Sequence, residues 1–228
     1  MQTSRAFVKL TGTPTVAVTS PAAASYINNS NKAAWVVSGT CSENGQNVVL
    51  SGSTSATVSC AAGAWTKTFD MTAVADGAIT IYADHSDVGG NPATQASRGF
   101  VKDTVAPTVA ITSPAAASYI NNSNKAAWVI SGTCSENGQN VVLSGSASAT
   151  VSCAAGAWTK TFNMTGVADG AVTIYADHTD LAGNPATQAS RAFVKDTAAP
   201  TVAITSPAAA SYINLANKAA WVISGTCS

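Results

Sequence analysis

Charge is what this chain has least of. Asp, Glu, Lys and Arg make up 10% of its 228 residues, and their charges cancel. About 25% is usual for a soluble domain. Sparse, balanced charge leaves no cluster of Lys and Arg to follow a phosphate backbone, so nucleic acid is not an expected partner. Long apolar runs are missing too. Each is broken by Ser, Gly or Thr well short of the eighteen or so residues of a membrane span. No capped run of 3.6-residue apolar periodicity occurs, which removes helices from the reading. The opening residues, MQTSRAFVKLTG, lack the apolar stretch of a secretory leader. They match later segments, QASRGFVK at 95–102 and QASRAFVK at 188–195. Any export signal is therefore expected upstream of this chain.

What is abundant is Ser, Thr, Asn and Gly, arranged in a repeat. Pro14, Pro107 and Pro200 stand 93 apart (107 − 14 and 200 − 107). Residues 10–102 laid on 103–195 differ at 13 of 93 positions. A period this long is the size of a small domain, so each unit is expected to own its core. The frame is residues 1–9 as the last strand of a preceding repeat, 10–102 and 103–195 as complete repeats, and 196–228 as the first strands (A and B) of another.

Each unit reads as all-β. Short runs of Val, Ile, Thr and aromatics alternate with Gly, Asn, Pro and Asp clusters at sandwich spacing. In the first unit the strands are A (15–20), B (33–40), C (47–52), D (55–60), E (64–69), F (78–84) and G (94–102), with turns at ENGQ, AAGA, ADG and VGGNP. Seven strands in about ninety residues fits an immunoglobulin-like sandwich. The fold class is thus a tandem of seven-stranded β-sandwiches. The stretch SPAAASYINN (20–29) reads as a long A–B connection whose Tyr26 and Ile27 fold back onto the sandwich. Alternation puts Trp35, Val37, Gly39 and Cys41 on one face of B, and Ile79, Ile81 and Ala83 on one face of F. In E, Trp65 and Phe69 share a face with Lys67, a conflict in the pattern.

The segment DHTDLAGNPATQASRAFVKDTAAPTVAITSP (177–207) resembles the junction between bacterial Ig-like domains of large repetitive surface adhesins. The pattern there, Asp-x-x-Gly-Asn, strand G, Asp-x-x-x-Pro, strand A, is met by Asp180, Gly183, Asn184, Asp196 and Pro200. The earlier junction meets it with Asp87, Gly90, Asn91, Asp103 and Pro107, and the first departs from it with Leu10 in place of Asp. ISGTCSENG is similar to the family's strand B and the turn after it. The resemblance covers essentially the whole chain. It implies spacers that hold a terminal binding domain away from the cell, some with calcium at their junctions.

Five cysteines follow the repeat. Cys41–Cys60 and Cys134–Cys153 are each nineteen apart, near the ends of strands B and D, and Cys227 has no counterpart after it. The spacing predicts two disulfides, each a local staple near one end of a sandwich, and a free thiol at Cys227. Buried free thiols are the alternative reading. Zinc is disfavoured, because it wants four clustered ligands. His85 and His178 stand beside aspartates in the F–G turn and read as solvated turn residues. No G-x-S-x-G elbow accompanies them, and Asp70 becomes Asn163 in the second unit, so no enzyme is expected. The junction acids are the one candidate ligand cluster. Asp84, Asp87 and Asn91 fall in one F–G turn, but Asp103 follows strand G and belongs at the opposite pole. The expected calcium set is therefore Asp103 with Asp177 and Asp180, across the boundary. The competing reading is ordinary turn chemistry for Asp and Asn.

These features suggest a structural spacer of an extracellular bacterial adhesin or surface fibre, with neighbouring repeats of the same array as its partners and other copies in a fibre as further ones. Two alternatives stand beside it: a glycan- or protein-binding module acting by avidity through exposed aromatics such as Tyr82 or Tyr175, and a subunit of a self-assembling filament.

Overall fold

The computed structural model describes residues 12–228. The expected strand at 1–9 lies outside the described residues. The first repeat comprises β1 (Val16–Ser20), β2 (Tyr26–Ile27), β3 (Trp35–Cys41), β4 (Asn47–Gly52), β5 (Ala56–Ser59), β6 (Ala64–Phe69), β7 (Gly77–His85) and β8 (Ala96–Lys102). The second repeats the series as β9 (Val109–Ser113), β10 (Tyr119–Ile120), β11 (Trp128–Cys134), β12 (Asn140–Gly145), β13 (Ala149–Ser152), β14 (Ala157–Phe162), β15 (Gly170–His178) and β16 (Ala189–Lys195). Then β17 (Val202–Ser206) pairs antiparallel with β18 (Ser224–Cys227), and every residue of both is exposed.

In the first repeat a three-stranded sheet, β1-β3-β6, faces a five-stranded sheet, β2-β8-β7-β4-β5. The seven strands read from sequence are present, and β2 is an eighth. Pro21 offers no N–H to the ladder, so β1 stops there and the chain crosses to the other sheet. There Tyr26 and Ile27 pair in parallel with Val101 and Lys102 at the end of β8. Ile27 is fully buried.

The alternation in β3 and β7 is realised: Trp35, Val37, Gly39 and Cys41 point inward, as do Ile79, Ile81 and Ala83. Trp35 meets Phe100 of the opposite sheet edge-on, ring centroids 4.7 Å apart. This cross-sheet aromatic contact belongs to a core that recurs, position for position, in the second repeat. The two cores are separate clusters, one spanning Val18 to Phe100 and the other Ile111 to Phe193. Lys67 keeps the inward parity of Trp65 and Phe69, but β6 is an outer strand, so its stem is only half-buried along the open edge.

Cys41 is joined to Cys60 and Cys134 to Cys153, with Cα–Cα distances of 5.9 Å. All four are buried, and Cys227 is free and exposed. One point departs from the sequence reading. Strand β5 joins β4 in the five-stranded sheet, whereas β3 lies in the other. The bridge therefore ties the two sheets together at one end of the sandwich and is not confined to neighbouring strands.

At the opposite end Lys102, only 4% exposed, places its ammonium 2.5 Å from Asp76. Asp76 also accepts from the N–H and hydroxyl of Thr104, the second residue beyond β8. Lys195, Asp169 and Thr197 repeat the arrangement, with Lys195 Nζ 2.6 Å from Asp169. The Lys102 bond, then the Thr104 N–H, holds the Asp76 carboxyl at about 2, below its ordinary 3.8. Asp169 is lowered to about 2 by the equivalent groups. A carboxyl depressed on folding stabilises above its unfolded value and loses that contribution as pH falls through its folded one. Melting temperature should thus be level above pH about 5 and fall between about 4 and 2. Replacing both residues, Asp76→Asn with Asp169→Asn, should flatten that part of the curve in circular dichroism melts.

Candidate functional site

A cluster of hydrogen-bonded polar side chains lies where the two repeats meet. On the first repeat it is built by the Asn-rich turn after β2. Asn28 Oδ1 accepts from the N–H and hydroxyl of Ser30, and the Asn28 N–H donates to Asn31 Oδ1. Asn29 Nδ2 donates to the Thr104 carbonyl at 2.6 Å, and Lys32 Nζ donates to Asn29 Oδ1. Short amide side chains that bond their own backbone make such turns rigid. The turn is also tied to the residues leaving β8, since the Asp103 N–H donates to the Ile27 carbonyl at 2.9 Å.

On the second repeat the cluster is the turn between β15 and β16, Asp180 to Asn184. The Asn184 N–H donates to Asp180 Oδ1 at 2.7 Å and its Nδ2 to Asp180 Oδ2 at 2.8 Å. Gly183 closes the turn with φ +90, a conformation side chains disfavour.

Among the described residues three hydrogen bonds cross the boundary. Asn28 Nδ2 donates to the Ala182 carbonyl at 2.6 Å, the Asn29 N–H to Asn184 Oδ1 at 2.9 Å, and Asn184 Nδ2 to the Asp103 carbonyl at 2.9 Å. Asn184 is 1% exposed as a result. Its counterpart Asn91 makes the same pair of bonds to Asp87 yet is exposed. Those bonds, the Asn91 side-chain amide first, hold the Asp87 carboxyl below its usual range.

The segment joining the repeats is fastened at both ends. Thr104 is held by Asp76, and Val105 donates its N–H to Asp103 Oδ1. Thr108 and Ser135 exchange two bonds, the Thr108 N–H to Ser135 Oγ at 2.9 Å and the Ser135 N–H to the Thr108 carbonyl at 3.1 Å. Of the stretch between, Pro107 is buried.

The expected calcium set is not brought together. Asp180 turns both oxygens to Asn184, Asp177 receives Gln188 Nε2 at 2.9 and 3.0 Å, and Asp103 Oδ1 takes the Val105 N–H. Among the described residues no three His, Cys, Asp or Glu side chains are grouped to hold a metal. Amide and backbone donors stand where a cation was expected. The side chain that bonds across this boundary from the second repeat is Asn184.

The histidines also differ from expectation. His85 and His178 are buried, 3% and 2% exposed, on the inward face of β7 and β15. His85 Nδ1 lies 2.9 Å from the Asn47 carbonyl, and Nε2 lies 3.2 Å from the Glu43 N–H. A carbonyl only accepts and an N–H only donates, so the proton sits on Nδ1. The ring ties the start of β4 and the turn before it to β7. Tyr82, 38% exposed, lies over Gly52, where an added Cβ would meet its ring at 3.1 Å.

Residues 63–154 and 156–218 match the bacterial Ig-like domain, group 3. The chain belongs to that family. The matches begin between β5 and β6, so the first Ig-like unit in this frame takes the end of one sandwich and the start of the next. The Ig-like chain has no match among curated proteins. Among solved structures it is similar to part of a 1.5-MDa bacterial ice-binding adhesin, at 18% identity over 85% of this chain and 69% of that one, TM-score 0.49. A tetra-tandem repeat from the extending region of a large adhesion protein is 19% identical over 86% of this chain and 52% of its own, TM-score 0.40. Fibronectin(III)-like modules of Clostridium thermocellum CbhA are 16% identical over 80% and 94%, TM-score 0.47.

Proposed function

We propose that this Ig-like chain is a non-enzymatic spacer of a bacterial surface adhesin or fibre, working outside the cell. The observation that carries the reading is the short joint. Only Val105 to Pro107 lie between segments fastened to one repeat and the other. A flexible tether would not be held in this way, and a stiff joint transmits length. Strand β7 has nine residues, so a sandwich is about 30 Å long and a sandwich with its joint adds roughly 40 Å. The cross-sheet disulfides support an oxidising compartment. No helix among the described residues is long and apolar enough to cross a membrane.

Small-angle scattering of the chain should report an elongated particle, with roughly 80 Å spanned by the two sandwiches. A compact particle, or specific retention on a glycan array, would overturn the spacer reading.

A further inference from the structure

The turn that bridges the repeats is present twice, but its Asn is buried at 184 and exposed at 91. An added Cβ at Gly183 would meet Asn28 Nδ2 at 3.1 Å, whereas one at the matching Gly90 would meet nothing within 4 Å. The opposite pole is duplicated as well. In the second repeat Ser123 donates to Asn121 Oδ1, Asn122 Nδ2 donates to the Thr197 carbonyl at 2.8 Å, and Lys125 Nζ donates to Asn122 Oδ1 at 2.7 Å. The Asp196 N–H donates to the Ile120 carbonyl at 2.9 Å, as Asp103 does to Ile27. Thus Asn121 and Asn122 are exposed in the geometry that Asn28 and Asn29 use.

We propose that Asn28, Asn29 and the Asp103 carbonyl form a recognition socket whose occupant is the Asp-x-x-Gly-Asn turn of the next repeat, and that Asn121, Asn122 and the Asp196 carbonyl take the same turn from a further copy. The amide is the specificity element. Asn184 must accept with Oδ1 from an N–H and donate with Nδ2 to the Asp103 carbonyl and the Asp180 carboxylate at once. A carboxylate in its place would set an acceptor against both oxygens. A single atom of difference therefore decides between a locked and a loose joint, with no cation needed. Pro185 follows Asn184. Cyclisation onto the side chain with loss of ammonia needs an N–H on the next residue, and proline has none. The amide is thus shielded from drifting to the carboxylate that would release the joint.

This inference rests on the spacer reading, and its test is separate from scattering or glycan retention. Residual dipolar couplings of the full chain report whether the two sandwiches share one alignment. The wild-type chain should show a common alignment, unchanged by a chelator. Asn184→Asp and Gly183→Ala should lose it while each sandwich keeps its own couplings pattern. Asn91→Asp, in the same turn of the first repeat, should keep it. A wild-type chain without common alignment, an Asn184→Asp joint as rigid as wild type, or loosening by chelator alone would each overturn the proposal.

Discussion

Gly39→Ala is expected to unfold the first sandwich and leave the second melting as before. Gly39 sits mid-strand in β3, with Val18 of β1 on one side and Trp65 of β6 on the other. An added Cβ would stand 1.8 Å from the Ala17 carbonyl oxygen and 2.6 Å from two carbons of the Trp65 ring. The oxygen belongs to the backbone and cannot rotate away. Moving it would break the β1–β3 ladder beside its existing irregularity between Val18 and Ser20. Trp65 is 3% exposed and has little room to yield. The loss should reach the upper end for single substitutions, about 4 kcal/mol or more, against a total of 5–15 kcal/mol for a typical domain. Calorimetry should show one of two transitions collapse. Gly99→Ala is the control, because nothing lies within 4 Å of its Cβ position and the second repeat already carries Ala192 there. Two intact transitions in Gly39→Ala would refute the argument.

Removal of the Cys134–Cys153 bridge, as Cys134→Ala with Cys153→Ala, should be the next largest effect. The bridge closes nineteen residues of separation, worth about 3 kcal/mol by chain entropy. For a domain of this size that is a fall of roughly 10–25 °C in the melting temperature of the second sandwich. The first should be unaffected, since the cores are separate. Titration of the native wild-type chain should find one reactive thiol, Cys227, because the other four cysteines are bridged. A drop of only a degree or two would mean that packing, and not the bridge, holds the sheets at that end.

Most strands were legible because their boundaries are written in turn residues. Strands β4 and β6 match the expected segments end to end, each preceded by a turn, ENGQ and AAGA. Sheet membership was less accessible. The short run at 56–59 can pair with either neighbour, and only tertiary packing assigns β5 to the five-stranded sheet. His85 was missed by a single residue. Ending strand F at 84 stopped an inward parity that Ile79, Ile81 and Ala83 had already established. At the junction, carboxylates attracted notice because charge is conspicuous in a chain with so little of it. The residue that crosses the boundary is a neutral amide. In the sequence it stood only as one member of the junction pattern, between Gly183 and Pro185, with no sign that it reaches across.

Near-identity between adjacent domains has a cost during synthesis, for a strand of one repeat can insert into its neighbour's sheet. The bridges oppose this through their placement. Cys60 finds Cys41 nineteen residues away, whereas the nearest wrong partner, Cys134, is 74 away (134 − 60). Loop-closure entropy favours the nearer pairing by about 1 kcal/mol. Each repeat can be cross-linked within itself as it reaches the oxidising compartment, so the order of export becomes the order of assembly and a cross-link between neighbours is disfavoured.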